Sequence, residues 1–492
     1  MKKALSIIIS LLLVIGTVIP AFAYSADQDV PIVYVRGQGG AIYDAEGNNL
    51  ITHELDVQAL AKQILEALVD TYATKNYDYA AQCLGDILAE YFPALSKDGE
   101  LIADETPGES LFSRKTSDFR FNDFAFCYDW RLDPIYNSEL LAAHIDRVLQ
   151  STGASKVALV GFSEGSCVCG AYLTYHGSEN KVDSYTMISP GCNGIDVVGA
   201  LAAGKCEFSK KTLDKFITYY VDGGNMLSNN SLEGLLSVTA SLLAKTNVMG
   251  LGVAFLQDLY NGINESKAFS DIVLGCYPGF WSFVSDEYYD AAIEKNFGGR
   301  EDEFAGLIAK IEKYHTEVYR TLPGTLVALK DAGMKLNVIA KYGSASFPII
   351  KDNDVQSDGV IELHNTSFGA RSAKLGETLS GVNAGDRYIS PDKVVDASTC
   401  LFKDSTWFVQ GATHNDDSPA IEKFTETLTK SSAQVTIDSG LFSQFLKLDA
   451  ETGELSHLDE NGSETKWTGN FLQLIINFFK RFFEVVRGFF TK

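Results

Sequence analysis

The feature that most constrains the fold is a five-residue signature, GFSEG, at residues 161–165. It follows directly on a short apolar run, KVALV at residues 156–160, and precedes an apolar segment around Ala171 that is typical of a helix. A serine at such a strand-to-helix turn adopts strained backbone angles, and the flanking glycines make room for the turn. The pattern therefore predicts a strand, a sharp turn that exposes Ser163, and a helix whose N-terminus favours negative charge.

The rest of the chain predicts a sheet around this unit. Further runs typical of strands occur at residues 31–35, 124–128, 183–189, 335–340 and 405–409. Helical periodicity at residues 57–95 and 138–151 separates the first three strands from one another and from the signature. Alternating strands and helices predict an α/β fold, with a mostly parallel sheet and helices on both faces.

Residues 193–320 interrupt this alternation. The segment has a helical pattern, with an apolar stretch at residues 232–256 and an aromatic cluster at 277–281. A helical block inserted between two strands of one sheet predicts a cap over the site, and an independent helical domain is the alternative. The core would then consist of residues 24–192 and 321–450.

The N-terminus has the layout of a secretory signal peptide. Lys2 and Lys3 precede an apolar run at residues 7–19, and Ala-Phe-Ala at 21–23 is a small-x-small cleavage site. We therefore expect bacterial-type export, removal of residues 1–23, and a secreted or cell-surface protein.

Composition limits the partners. A net charge of −23 would repel nucleic acid and other acidic polymers. With 46% hydrophobic residues and only 11 prolines, the chain is expected to fold rather than to remain disordered. The 8 cysteines are irregularly spaced, so most are interpreted as buried apolar side chains rather than as an assignable set of disulfides.

A serine nucleophile needs a base, and the base needs an acid to orient it. Three histidines follow the predicted cap: His364, His414 and His457. His414 follows the strand at 405–409 directly, and a loop at the carboxyl end of a strand is where the base should lie. His364 lies beside the acid candidates and His457 in a polar segment, so His414 is the predicted base.

The acid is expected after the strand at 335–340. Asp358 precedes Gly359, and a glycine-containing turn would direct its carboxylate back toward the sheet. Asp354 is the second candidate and Glu362 the third.

Two backbone N–H groups are expected to stabilise the oxyanion. One would belong to Glu164, next to the nucleophile, and the other to Gln38 in the glycine-rich first loop, with Gly39 as the alternative. The glycines at 37–40 could instead suggest a phosphate cradle. However, the Lys-Ser/Thr ending of a P-loop and the third glycine of a dinucleotide fingerprint are missing.

These motifs together resemble the lecithin:cholesterol acyltransferase-like branch of the α/β-hydrolases. The resemblance rests on YDWR at 128–131, Pro134, the helix leading into KVALVGFS at 156–163, and DGVI at 358–361. It extends from residue 31 to about residue 414. We interpret residues 129–131 mainly as architecture, with Arg131 pairing a nearby carboxylate.

The resemblance implies an α/β-hydrolase fold in which Ser163 is the nucleophile, Asp358 the acid and His414 the base. The chain departs from the family's usual pattern at Phe162, usually His, at Glu164, usually Met, and at Arg36, usually Pro or His before Gly37. Glu164 would place a charge beside the nucleophile unless its side chain turns away.

The C-terminal residues 471–492 are typical of an amphipathic helix, joined to the core by a polar linker at 451–470. Polar residues form one stripe, at Gln473, Asn477, Lys480, Arg481, Glu484, Arg487 and Thr491. Four cationic residues against one glutamate give the tail a local charge of +3, and aromatic residues cover the remaining surface. This pattern favours contact with a membrane surface, and packing on the protein's own core is the alternative.

The sequence thus predicts a secreted serine hydrolase that cleaves a carboxylic ester, with a lipid or acyl ester as substrate. The chemistry needs no metal and no organic cofactor. An acyltransferase and a catalytically inactive surface-binding protein are the alternatives. A peptidase of the same fold has no positive feature in the sequence.

Overall fold

The computed structural model describes residues 30–38, 95–101, 124–209, 270–351, 353–383, 385–449 and 452–459, with scattered positions in 70–86, 211–215 and 253–264. The predicted signal peptide at 1–23 and tail at 471–492 lie outside these residues. So do Gly39, most of the helical segment at 57–95 and most of the apolar stretch at 232–256. Within the described part of the chain, none of the helices combines the length and apolarity needed to cross a bilayer.

The main sheet contains eight of the described strands. In chain order the strands are β1 (Ile32–Val35), β2 (Phe124–Phe126), β3 (Val157–Phe162), β4 (Val182–Ile188), β5 (Lys335–Tyr342), β6 (Arg371–Ser372), β7 (Val395–Asp396), β8 (Thr406–Gln410), β9 (Phe445–Leu448) and β10 (Leu455–His457). The order across the sheet is β10-β9-β8-β5-β4-β3-β1-β2, and every pair is parallel except β9 with β10. Strands β6 and β7 form a separate antiparallel pair. The predicted α/β architecture with a mostly parallel sheet is confirmed.

Helices flank this sheet. The α-helices of the described residues are α1 (Pro134–Thr152), α2 (Gly165–His176), α3 (Asp196–Ala202), α4 (Pro278–Trp281), α5 (Asp286–Phe297), α6 (Ala305–Tyr314), α7 (Leu322–Asp331), α8 (Leu363–Thr366) and α9 (Pro419–Lys430). Helix α1 begins four residues before the predicted start at Ser138. The Asp133 side chain caps it by accepting from the Ile135 N–H, and Pro134 occupies the first turn, where its missing N–H costs nothing.

The side chains of β3 show how the sheet divides the core. Val157 and Leu159 pack in the cluster that contains residues of α1, α2 and α7. Ala158 and Val160 point to the other face, into the cluster that contains residues of α9. Alternation with a period of two explains this division, because successive side chains of a strand point to opposite faces. Full burial of one such large apolar side chain contributes about 1.5–3 kcal/mol.

The sheet extends into the segment that the sequence predicts as a linker. Leu455 pairs with Leu448 across an antiparallel hairpin between β9 and β10. The Asp449 side chain accepts from the Thr452 N–H, and Gly453 adopts a φ of 71° in the turn. Two of the three residues of β10 are exposed, so this edge strand carries polar residues where a buried strand would be apolar. That polarity is the reason why the linker prediction for 451–470 is wrong at its start.

All 8 cysteines lie at described positions, and none of them is in a disulfide. Six of them are buried, as expected for small apolar side chains.

Candidate active site

Ser163 lies at the turn between β3 and α2, at the carboxyl end of a central strand. Its φ of 51° lies in the left-handed region, which costs a non-glycine residue of order 1–3 kcal/mol. A Cβ atom at Gly165 would lie 2.2 Å from the carbonyl oxygen of Val35, so only glycine fits against the end of β1. The Ser166 hydroxyl donates to the Ser163 carbonyl oxygen at 2.6 Å and fixes the turn from its helical side.

His414 reaches Ser163 from a loop that follows β8. Its Nε2 lies 3.0 Å from the Ser163 Oγ, and its ring packs on Phe162 with the two centroids 5.0 Å apart. Gly411 begins the loop with a φ of 81°, a backbone conformation that residues other than glycine rarely adopt. The histidine is 5% exposed and Ser163 is 7% exposed, so this contact is largely shielded from solvent.

Asp358 completes the chain of hydrogen bonds. Its Oδ2 lies 2.8 Å from the Nδ1 of His414, and its Oδ1 accepts from the N–H groups of Val360 and Ile361. Burial acts to raise the pKa of the Asp358 carboxyl, but His414 and the two backbone donors hold that pKa below its ordinary value. A carboxylate on Nδ1 makes that nitrogen the donor, so the neutral ring offers Nε2 to accept the serine proton.

The structure thus brings Ser163, His414 and Asp358 together in one hydrogen-bonded row, and it places the other candidates elsewhere. Asp354 forms ion pairs with Lys211 and Lys374. Glu362 accepts from Ser346 and from the Asp196 N–H, while His364 faces the Asp196 carboxylate at 3.5 Å. His457 is in β10 at the opposite edge of the sheet from β1 and β2.

The predicted oxyanion donors lie on two sides of Ser163. The Glu164 amide is at the N-cap of α2, where the first N–H groups of a helix have no partner within the helix. Gln38 is exposed, and it follows Gly37, at which a Cβ atom would lie 2.9 Å from the Ser163 Cβ. This loop therefore lies directly against the serine. The two assigned donor roles stay predictions.

Sequence reasoning missed Lys341, near the end of β5. This lysine is 1% exposed, and its Nζ donates to the carbonyl oxygens of His414 and Asp416 at 2.8 Å each. Lys341 therefore holds the loop that carries His414 through two main-chain carbonyl oxygens of that loop. Burial lowers the pKa of Lys341, and nearby Asp416 and Asp358 oppose that shift. The signal in the sequence is a lysine inside the mostly apolar run LNVIAKY.

Arg131 pairs with a carboxylate, as the sequence predicts. Its Nε and a terminal nitrogen donate to Asp129 at 3.0 and 2.7 Å, and both side chains are buried. Among the described residues, no group of three or more His, Cys, Asp or Glu side chains is placed to hold a metal ion.

Comparisons with known proteins add little to this geometry. No protein-family model matches the chain, and no curated protein matches it. Among solved structures, a chain of "The crystal structure of Tle4-Tli4 complex" is 12% identical, and the alignment covers 93% of this chain and 97% of that chain. Its TM-score of 0.26 is too low to carry an argument about fold or function.

Proposed function

We propose that this protein is a serine hydrolase of the α/β-hydrolase type that cleaves a carboxylic ester. The observation that carries the proposal is the row of hydrogen bonds from Ser163 Oγ through His414 to Asp358, with distances of 3.0 and 2.8 Å. The three residues lie in the segments that follow β3, β8 and β5, which are separate in sequence. A nucleophile, a base and an orienting acid in this geometry are the parts that acyl chemistry requires.

In the proposed reaction, the Ser163 hydroxyl attacks the ester carbonyl and His414 Nε2 takes its proton. Asp358 stabilises the imidazolium that forms, while the amides of Gln38 and Glu164 bind the oxyanion. His414 then returns the proton to the leaving alcohol, which departs as the acyl-enzyme forms. A water molecule, deprotonated by His414, then attacks the acyl carbon, the bond to the Ser163 Oγ breaks to release the acid, and His414 returns the proton to the Ser163 Oγ.

An acyl or lipid ester is the proposed substrate class, and export from the cell is part of the same proposal. Two apolar rings lie near the reacting residues: Phe162 packs on His414, and Phe283 lies against Gly191, whose N–H donates to the Ser163 carbonyl oxygen. Apolar surroundings of this kind support an apolar acyl chain over a charged one. Water is the proposed acyl acceptor.

A fluorophosphonate probe tests the proposal because it labels only an activated serine. We expect labelling of the wild type and none of Ser163→Ala. Ser189 provides a matched control: it is buried, follows the neighbouring strand β4, and also has a positive φ, of 43°. Ser189→Ala should label like the wild type. A wild-type protein that resists the probe, or a Ser163→Ala variant that still reacts, contradicts the proposed function.

A further inference from the structure

The side chain of Glu164, the residue after the proposed nucleophile, is fully buried. Neither of its carboxyl oxygens has a hydrogen-bond partner in the described structure, and the side chain does not cap the helix that it begins. A carboxyl group without partners is rare in a protein interior, because desolvation is then not offset by any contact. Burying the ionised form would cost far more free energy than burying the neutral form.

The charge that acts on Glu164 from its surroundings is the negative charge of Asp129. Asp129 lies close enough to act on it, and the Asp129 carboxylate is already committed to the backbone N–H and the guanidinium of Arg131. Tyr128 and Cys167 are the other titratable neighbours on which the charge of Glu164 acts. Burial, followed by repulsion from Asp129, raises the pKa of Glu164 well above its ordinary value.

Tyr128 connects this region to the oxyanion loop. Its hydroxyl donates to the carbonyl oxygen of Arg36 at 2.9 Å. Arg36 is followed by Gly37, which lies against Ser163, and by Gln38, the proposed oxyanion donor. One hydrogen bond therefore joins the Tyr128 side chain to the main chain of the loop that carries this donor. The positive charge of Arg36 also acts on Tyr128.

We propose that Glu164 is a positioning residue that must remain uncharged for the reaction proposed above, on which this inference rests. As a neutral acid it leaves the Tyr128 hydroxyl bonded to the Arg36 carbonyl, and the loop that carries Gln38 stays against Ser163.

Ionised Glu164 would disturb the site in two ways. A carboxylate is a stronger acceptor than a backbone carbonyl, so it would compete for the hydroxyl hydrogen of Tyr128 and release Arg36. A negative charge beside the nucleophile would also oppose the oxyanion that forms there. Both effects slow the reaction, and both appear only once Glu164 loses its proton.

The experiment measures the rate of fluorophosphonate labelling against pH in the wild type and in Glu164→Gln, which has the same shape but cannot ionise. Each protein's rate is divided by its own rate at neutral pH, so that the shape of the pH profile is compared and not the basal rate. As the pH rises, the wild-type rate should fall by up to about a hundredfold, the usual effect of losing one oxyanion donor. Glu164→Gln should not show this fall. Burial raises the pKa values of Tyr128 and Cys167 well above their ordinary ones, so the loss of a proton from either group does not account for a fall in rate in this pH range.

Two further variants test the connection through the loop. Tyr128→Phe should slow labelling about five- to tenfold at every pH, because it removes one hydrogen bond. Tyr172→Phe is the control, since that buried hydroxyl lies farther along α2. It should change the rate less than twofold.

The infrared spectrum supplies a measurement that does not depend on activity. The difference between wild type and Glu164→Gln at neutral pH should contain the carbonyl band of a protonated carboxyl group. The inference is overturned if this band is absent, or if Glu164→Gln retains the alkaline fall. A wild type that does not label at all defeats the proposed function instead, so the two failures can be told apart.

Discussion

Two buried carboxyl groups, Asp358 and Glu362, follow β5 in the same loop, but they have different partners. Both side chains are completely inaccessible to solvent. Asp358 faces the His414 ring and two backbone donors, whereas Glu362 faces the Asp196 carboxylate as well as its hydrogen-bond partners. Burial raises the pKa of both, but the partners of Asp358 bring its pKa below the ordinary value, while that of Glu362 reaches about 8.

Since burial raises the pKa of both groups, the difference between them comes from their partners. A carboxylate that is held by donors and faces an imidazole can remain ionised and stabilise an imidazolium. A carboxyl group next to another carboxylate retains a proton, so it would be a poor partner for a cation. Asp358 is therefore suited to the acid role, and Glu362 is suited to a structural one.

The largest expected effect comes from neutralising each group in turn. Asp358→Asn should reduce the rate of ester cleavage about a thousand- to ten-thousandfold, because the amide favours the wrong histidine tautomer. Glu362→Gln should change the rate less than about threefold at neutral pH, where Glu362 already carries a proton. Steady-state rates with a chromogenic ester, alongside circular dichroism of both variants, measure the contrast. Similar losses in the two variants would break the comparison.

The pH dependence of stability tests the prediction for Glu362. Since the pKa of folded Glu362 lies above its unfolded value of 4.5, the folded state holds this proton more tightly. Stability is then fully present below about pH 4.5 and is lost as the pH rises to about 8. Glu362→Gln should remove this loss and stabilise the protein at pH 9 by about 2–4 kcal/mol relative to the wild type. Urea unfolding at pH 5 and pH 9 measures the free energy of unfolding of both proteins. An equal decline in the wild type and in Glu362→Gln would refute the prediction.

The sequence predicted most of the candidate site, because the sequence signals for its residues are local. The signature around Ser163, the glycine after Asp358 and the position of His414 directly after a strand each depend on a few neighbouring residues. All three side chains meet in the structure, although their catalytic roles stay predictions. What no local pattern contains is the partner of a buried group, which comes from a distant element.

Lys341 illustrates this limit. Nothing within its strand indicates that its Nζ contacts the carbonyl oxygens of His414 and Asp416, more than seventy residues later in the chain. The proximity of Asp196 to Glu362 is likewise a consequence of the fold. The edge strand β10 was missed for a related reason, since its exposed residues need not be apolar.

A smaller effect is expected from the lysine that supports the histidine loop. Lys341→Met should lower the rate about tenfold, because two carbonyl oxygens lose their donor and His414 is no longer held at its distance from Ser163. Lys335→Met is the matched control at the opposite end of β5, where the Nζ contacts Ser431 and Asp183. It should affect stability but not the rate. If both variants have the same activity, Lys341 has no part in positioning the histidine.

The smallest effect is expected at Asp354, the second acid candidate of the sequence. Burial acts to raise its pKa, but Lys374 and Lys211 hold that pKa below the ordinary value. It therefore resembles Asp358 in charge but not in partner. Asp354→Asn should leave the rate within about twofold and cost about 1 kcal/mol of stability, because both lysines are largely exposed and hold the pair weakly. A loss of rate like that of Asp358→Asn would show that an ionised aspartate in this loop matters more than its contact with the histidine.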